Sequence, residues 1–167
     1  MTRFSSVYGT VTSVNPLETS ALSHSCSLLI SVMSQNLGEV KFVVHPDTYV
    51  LDQHTFEKGE PIIAIYDTQV PVPLIYPPQY SPIILAENDD GYLAMFDYFD
   101  ENLLNTEETL KLNIPDSDFS ELLLPNGQTF FYMPGNHYLF VLYMFTTRSI
   151  PAITTPDKVI VFCSQEE

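Results

Sequence analysis

The chain contains no tryptophan, and its 167 residues include only two cysteines, six glycines and six lysine or arginine residues. Against these six basic residues stand 21 aspartates and glutamates, which give a formal net charge of −15. Affinity for nucleic acids comes from basic residues that displace counterions, and anionic lipids also attract basic segments. The shortage of basic residues therefore argues against a nucleic-acid partner and against a membrane partner.

The shortage of glycine and cysteine weighs against several enzyme classes. The sequence contains no GxSxG, GxGxxG or GxxxxGK[ST] motif, in which glycines allow the backbone to approach a substrate closely. Cys26 and Cys163 lie in no nucleophile motif, and we expect both thiols to be buried. The four histidines show none of the spacings of zinc sites. The sequence thus leans against an enzyme and predicts no catalytic residue, no cofactor and no metal site.

Long apolar segments are also missing. No stretch approaches the roughly 20 apolar residues of a membrane-spanning helix. The start of the chain, MTRFSSVYGT, lacks the apolar core of a signal peptide. We therefore predict a cytoplasmic protein with no membrane span, and a leader removed from a longer precursor is the alternative.

What the chain has in abundance is β-forming and aromatic side chains. It is 45% hydrophobic and 13% aromatic, and its 13 prolines are spread along the sequence, a composition typical of β-sheet proteins. We expect a bend or bulge at Gly9 and a hairpin turn at residues 35–38. Apolar patterns predict strands in the first half at residues 7–14, 26–33, 39–45, 48–51, 61–66 and 82–86.

The most informative pattern is an internal repeat. Residues 61–86 and 138–163 each read as an apolar strand, a proline-rich crossing and a second apolar strand. At an offset of 78 residues, Pro73 matches Pro151 and Pro78 matches Pro156. The segment from Lys111 to Asp116 also echoes the segment from Lys41 to Asp47, with one residue deleted.

The repeat predicts an all-β fold of two tandem OB-like Greek-key barrels, residues 1–88 and 89–167, the second abbreviated. The charged segment Glu87-Asn88-Asp89-Asp90-Gly91 is the predicted boundary. A different small barrel, or a single larger β-sandwich, is the alternative. Strands in the second half are predicted at residues 92–99, 109–114, 119–124, 129–133, 138–145 and 159–163.

Three phrases, PLIYPPQYSPII, NLLNTEETLKLNI and TTRSIPAITTPDKVIV, resemble an uncharacterised protein family of Gram-positive bacteria. In that family, similar sequences sometimes accompany a domain related to the N-terminal region of copper amine oxidases. The resemblance covers most of the chain from about residue 60 onward. It implies no activity, no catalytic residue and no copper site.

Two features are candidate binding sites. In Tyr76-Pro77-Pro78-Gln79-Tyr80, consecutive prolines stiffen the chain and hold two tyrosines that could stack on a sugar or on a partner's proline. Packing of these aromatics against the barrel is the alternative. Arg148, flanked by threonine and serine hydroxyls, could hold a carboxylate or phosphate. An ordinary surface ion pair is the commoner outcome for such an arginine.

The run from Tyr138 to Phe145, YLFVLYMF, is apolar at eight consecutive positions. A strand that is apolar on both faces must be covered on both faces. We therefore expect cover from outside residues 89–167, supplied by the first barrel or by a second copy in a homo-oligomer.

Taken together, these features predict a non-enzymatic binding or assembly module with a protein or carbohydrate partner. One alternative is a hydrolase of small substrates, which would need a deep pocket that gathers a histidine, two carboxylates and a hydroxyl. The second alternative is single-stranded nucleic-acid binding, which OB folds often perform.

The charge of the chain yields a first testable prediction. In a gel-shift titration at low salt, single-stranded DNA should show no binding below about 10⁻⁴ M, the weak end of ordinary non-specific affinity. Micromolar binding would contradict the argument from charge.

Overall fold

The computed structural model describes residues 3–17, 25–115 and 122–163 and is all-β, as predicted. Within these residues no α-helix occurs, and a short 3-10 turn, Leu51–Gln53, is the only helical element. Nowhere in this described part of the chain does a helix reach the length and hydrophobicity that a membrane span requires. The strands are β1 (Phe4–Pro16), β2 (Leu28–Ser34), β3 (Gly38–Val44), β4 (Tyr49–Val50), β5 (Pro61–Asp67), β6 (Gln79–Tyr80), β7 (Ile84–Glu87), β8 (Leu93–Phe99), β9 (Leu110–Leu112), β10 (Leu122–Leu123), β11 (His137–Tyr143), β12 (Ala152–Thr154) and β13 (Lys158–Phe162).

Contacts divide the chain into two compact units. The first unit is Ser5–Asp90, and the second comprises the residues from Gly91 onward together with Phe4. The change from one unit to the next lies inside the charged segment 87–91, where the sequence suggested a boundary.

The first unit is one seven-stranded sheet with the order β4-β7-β5-β1-β2-β3-β6. Strands β1, β2 and β3 form an antiparallel meander, and β6 joins the far side of β3 in parallel. On the other side, β7 runs antiparallel to β5 and parallel to β4. The turn predicted between β2 and β3 is confirmed, since Ser34 pairs with Gly38.

This sheet must be strongly curved. Strands β6 and β7 are five positions apart in the sheet, which is about 24 Å if the sheet were flat. Only residues 81–83 connect them, and a chain of that length reaches at most about 14 Å. Even so, no sheet among the described residues closes into a barrel. The all-β prediction is therefore confirmed, and the closed barrel is not.

The second unit repeats the same pairing scheme. The parallel pairs β9·β12 and β10·β13 correspond to β3·β6 and β4·β7. The antiparallel pair β11·β13 corresponds to β5·β7. The antiparallel pair β11·β8 corresponds to β5 and β1, which are neighbours in the first sheet. The equivalent of β2 is reduced to Leu104 and Asn105, which form single bridges to Lys111 and Phe99.

The register corrects the alignment made from sequence. Lys41 lies opposite Gln79, and Lys111, its counterpart in the repeat, lies opposite Ile153. The offset is therefore 74 at this point, so Pro77 and not Pro73 corresponds to Pro151. Pro77 and Pro151 each follow a cis peptide bond. Prolines recur so often in the crossing that the sequence alone could not choose between the two alignments.

Three further local predictions were wrong. The bulge of β1 lies between Val11 and Ser13, whereas Gly9 pairs regularly with Ser34. Glycine is needed there because an added Cβ would clash with the carbonyl oxygen of Met33. The segment 129–133 forms a single bridge, from Leu123 to Thr129, and no strand.

Cys26 and Cys163 are exposed, because both lie just outside the strands.

Strands β6 and β12 were not predicted, since proline-rich segments argue against strands. The strand predicted at residues 119–124 is described only as β10, and residues 119–121 lie outside the described residues.

Each unit has its own apolar core. In the first unit, alternate residues of the strands supply it, with period-two pairs such as Val40 and Phe42 or Ile62 and Ala64. In the second unit, Leu139 and Val141 of β11 lie at the centre, with Phe99, Leu112 and Val159 around them.

The central strand β11 is buried on both faces over most of its length. Residues Leu139, Phe140, Val141 and Leu142 are all at most 3% exposed. Phe4, which lies outside residues 89–167, packs edge-on against Phe96 at 4.8 Å and against Tyr138 at 6.1 Å. The prediction was wrong at the end of the run, because the strand stops at Tyr143 and Phe145 is 83% exposed.

Burial of both faces of β11 yields a second prediction. Phe140→Asp and Val141→Asp point to opposite faces, and each should unfold the second unit. Truncating a buried Phe costs about 3–5 kcal/mol, and an unpaired buried carboxylate adds a further penalty. Thermal unfolding followed by circular dichroism measures the loss. The matched control, Phe145→Asp, should keep the wild-type melting temperature because that side chain is exposed. A wild-type melting temperature in either buried variant would contradict the two-sided burial of β11.

Candidate functional site

The crossing between β5 and β6 carries a concentration of exposed apolar side chains. We call residues 68–78 the first crossing loop. Leu74 is fully exposed, Tyr76 is 83% exposed, and Val70, Val72 and Ile75 are about half exposed. Four prolines, at positions 71, 73, 77 and 78, fix their own φ angles within this loop. The loop therefore presents apolar groups on a stiff backbone.

The equivalent crossing in the second unit has the same property. We call residues 144–151, between β11 and β12, the second crossing loop. Phe145 and Ile150 are both largely exposed in it. Two crossings at equivalent points of one pairing scheme thus expose large apolar side chains.

The structure separates the two tyrosines predicted as a pair. Tyr80 lies in β6, where its ring stacks on Tyr66 at a centroid distance of 4.2 Å and lies 6.4 Å from the buried Phe42. Burial, with a smaller contribution from Tyr66, raises the pKa of Tyr80. Tyr76 is exposed in the first crossing loop. Tyr80 therefore packs on the core, whereas the side chain of Tyr76 is exposed.

Gln79 lies beside Tyr80 in β6, and both line a small cleft of about 60 Å³. Other walls include Tyr66 and Asp67 at the end of β5 and the start of the first crossing loop, from Val70 to Pro73. The cleft joins a polar amide and a carboxylate to an apolar wall.

Arg148 lies in the second crossing loop and is exposed. The hydroxyls beside it are engaged within the loop itself. Thr147 Oγ1 accepts a hydrogen bond from the Ile153 N–H at 2.9 Å and lies 2.6 Å from Ser149 Oγ. Ser149 Oγ donates to the Pro151 carbonyl at 2.8 Å. The hydroxyls of Thr147 and Ser149 therefore stabilise the loop, and anion binding by Arg148 stays a prediction.

A second cluster, which sequence reasoning missed, joins His54, Glu60 and Glu87. The Nε2 atom of His54 lies 3.0 Å and 3.1 Å from the two carboxylate oxygens of Glu60. It lies 3.6 Å from Oε2 of Glu87. The three side chains are about three-quarters buried. Among the described residues no hydroxyl hydrogen-bonds to any of them, so the hydrolase arrangement described above is incomplete.

Three separate elements position this cluster. His54 follows the 3-10 turn, and its ring packs edge-on against the buried Phe56 at 4.9 Å. Glu60 ends a tight turn in which Oε1 accepts a hydrogen bond from the Glu57 N–H at 2.6 Å. Glu87 is the last residue of β7 and pairs with Ile62 of β5, two residues after Glu60.

The pKa values of the three side chains in the cluster are shifted in different directions. The hydrogen bond to Glu60 is the main reason that the pKa of His54 is raised above its usual 6.5. The same bond, with the Glu57 N–H, lowers the pKa of Glu60. The pKa of Glu87 is raised, mainly because its carboxyl contacts that of Glu60. The single imidazole of His54 therefore interacts with two carboxylates, those of Glu60 and Glu87.

Little in the sequence indicates this cluster. His54 and Glu60 are close in sequence, but Glu87 joins them only through the register of β5 and β7. In the structure the His45 ring lies 3.0 Å from the Ser27 hydroxyl.

Comparisons of the chain with family models, with curated proteins and with solved structures found no match.

The cluster yields a third prediction. Glu60→Gln should lower the pKa of His54 towards 6.5, because it removes the carboxylate that stabilises the imidazolium. Since folding raises this pKa, the associated stability is complete below pH 6.5 and is lost as the pH rises through the folded-state value. An NMR titration of the imidazole resonances measures the shift. The His137 ring, which bonds to the carbonyls of Pro134 and Gly135, supplies the control. An unchanged His54 titration in the variant would show that Glu60 does not hold the proton.

Proposed function

We propose that the protein is a non-enzymatic binding module that recognises a protein partner through the first crossing loop. The observation that carries this proposal is the set of five exposed apolar side chains, Val70, Val72, Leu74, Ile75 and Tyr76, on a proline-stiffened loop. Contiguous exposed apolar groups of this kind mark interaction sites in soluble proteins.

The stiffness of the loop favours binding. A partner that orders a flexible loop loses conformational entropy, at a cost of about 0.5–1.5 kcal/mol for each immobilised side chain. Four prolines remove part of that cost before binding, because their φ angles are already fixed. Each large apolar side chain that a partner then covers contributes about 1.5–3 kcal/mol.

The chemistry of the loop favours a protein over a carbohydrate. Sugars stack on flat aromatic faces, and here four of the five exposed groups are aliphatic. The charge of −15 favours a partner whose contact surface is basic, since opposite charges accelerate association and exclude acidic competitors. The partner is therefore expected to combine an apolar pocket with a rim of lysine or arginine.

We also propose that each unit is a variant of the OB fold. Support comes from the meander β1-β2-β3, from the parallel β6 on β3 and from the antiparallel β7 on β5. In such an arrangement β6 and β7 together act as one bent fifth strand, which agrees with the three-residue link between them. The two crossing loops are then equivalent L45 loops, which are recognition loops in OB folds.

A peptide library tests the proposed function and gives a fourth prediction. Random peptides displayed on phage and selected on the wild-type protein should contain apolar anchors flanked by lysine or arginine. The double substitution Leu74→Ser/Ile75→Ser should weaken binding of a selected synthetic peptide at least about tenfold, because two apolar contacts are lost. Isothermal titration calorimetry gives the affinities.

The control is Met33→Ser/Leu37→Ser, which alters two exposed apolar residues at the β2–β3 hairpin and should leave the affinity unchanged. Equal binding by all three proteins would contradict a role for the first crossing loop. If the wild type self-associates and Leu74→Ser/Ile75→Ser abolishes that association, the partner is a second copy of the chain and not a different protein. Light scattering on the same samples distinguishes the two results.

A further inference from the structure

We propose that His54, Glu60 and Glu87 bind one divalent metal ion, with Zn²⁺ as the best-fitting ion, where strand β5 begins and strand β7 ends. This site is independent of the first crossing loop. It uses one imidazole nitrogen and two carboxylates, which are established ligands of zinc.

The geometry is close to that of a loaded site. One potential ligand atom from each residue lies within 4.8 Å of the others. His54 Nε2 is 3.0 Å from Glu60 and 3.6 Å from Glu87. Ligands about 2.0–2.2 Å from a tetrahedral zinc ion are separated by about 3.3–3.6 Å. The two separations measured from His54 Nε2 therefore lie within about 0.3 Å of tetrahedral zinc geometry.

The ligands are also held in place before any ion arrives. The Glu57 N–H fixes the Glu60 carboxylate, and the main-chain carbonyl of Glu60 accepts a hydrogen bond from the Val11 N–H at 2.9 Å. Phe56 orients the His54 ring. The N–H of Asn88, next to Glu87, donates to the Pro61 carbonyl at 3.0 Å. Supporting contacts of this kind orient metal ligands and raise affinity.

The charges of the three side chains do not balance, which is an independent observation. Two carboxylates contact each other, yet among the described residues neither forms an ion pair with lysine or arginine. His54 supplies at most one positive charge, and it loses that charge when it deprotonates. A divalent cation neutralises both carboxylates at once, and the strongly acidic chain raises the local cation concentration.

The donor set favours zinc over calcium or magnesium. Calcium and magnesium prefer oxygen ligands only, whereas an imidazole suits zinc and its transition-metal neighbours. Because the site keeps about a quarter of its side-chain surface exposed, water completes the coordination. The metal replaces the proton on His54 Nε2, so affinity should rise with pH through the pKa of that histidine.

The test is a zinc titration of the full chain after chelator treatment, in a background with Cys26→Ser and Cys163→Ser. These serines remove the two exposed thiols, which are alternative zinc ligands. Calorimetry should show one zinc ion per chain, with much weaker binding of Mg²⁺. His54→Gln and Glu87→Gln should each lower zinc affinity at least about tenfold. Zinc should also shift the NMR resonances of the His54 ring and abolish its titration.

The matched controls are His45→Gln and Glu39→Gln, which remove one histidine and one glutamate outside the cluster and should bind zinc as tightly as the parent. Circular dichroism confirms that every variant is folded, so a loss of affinity reports on the ligands. Absence of zinc binding up to about 1 mM would overturn the proposal. Binding that survives both His54→Gln and Glu87→Gln would also overturn it. Neither result bears on the peptide experiment, because the first crossing loop contributes no ligand.

Discussion

The two-sided burial of the central strands β5 and β11 is the constraint on which the rest of the structure depends. Residues Ile62–Ile65 of β5 and Leu139–Leu142 of β11 are almost fully buried, although alternate residues point to opposite faces. Such a strand must have neighbours on both edges, because its backbone groups cannot reach water. Each unit meets this demand in the same way, with one neighbour from the start of the unit (β1 or β8) and one from its end (β7 or β13).

Both proposed sites follow from that arrangement. After β5 the chain must leave the sheet, pair with β3 as β6, and then return to β5 as β7, so a long crossing is unavoidable. The return to β5 brings Glu87 next to the turn that carries Glu60. The pairing scheme does not require the side chains found there. At the position equivalent to Glu87 the second unit has Val161, and at the position equivalent to Tyr80 it has Thr154. The cluster and the stacked tyrosines thus belong to the first unit alone.

The sequence predicted the long strands and four of the short ones, β4, β7, β9 and β10, but missed β6 and β12. Strands β1, β2, β3, β5, β8, β11 and β13 each contain enough apolar residues to define a pattern. Strands β6 and β12 hold two and three residues in proline-rich segments, where local sequence argues against a strand. They form because an unpaired edge of β3 or β9 is available, and that edge exists only once the sheet has assembled. The exposure of Phe145 was missed for a related reason, since an apolar run does not reveal where its strand ends.

The sequence by itself determined that the chain is all-β, acidic and built on a repeated strand–crossing–strand pattern, because composition and periodicity are local properties of the chain. It also indicated that the proline-rich crossing is stiff, since proline fixes its own φ angle wherever it stands. Only the tertiary structure decided which apolar groups remain exposed on that crossing. It also decided that His54, Glu60 and Glu87 meet, because their meeting depends on the register of β5 against β7. Register is a long-range property that packing selects, and a shift of one residue would turn Glu87 to the opposite face of the sheet.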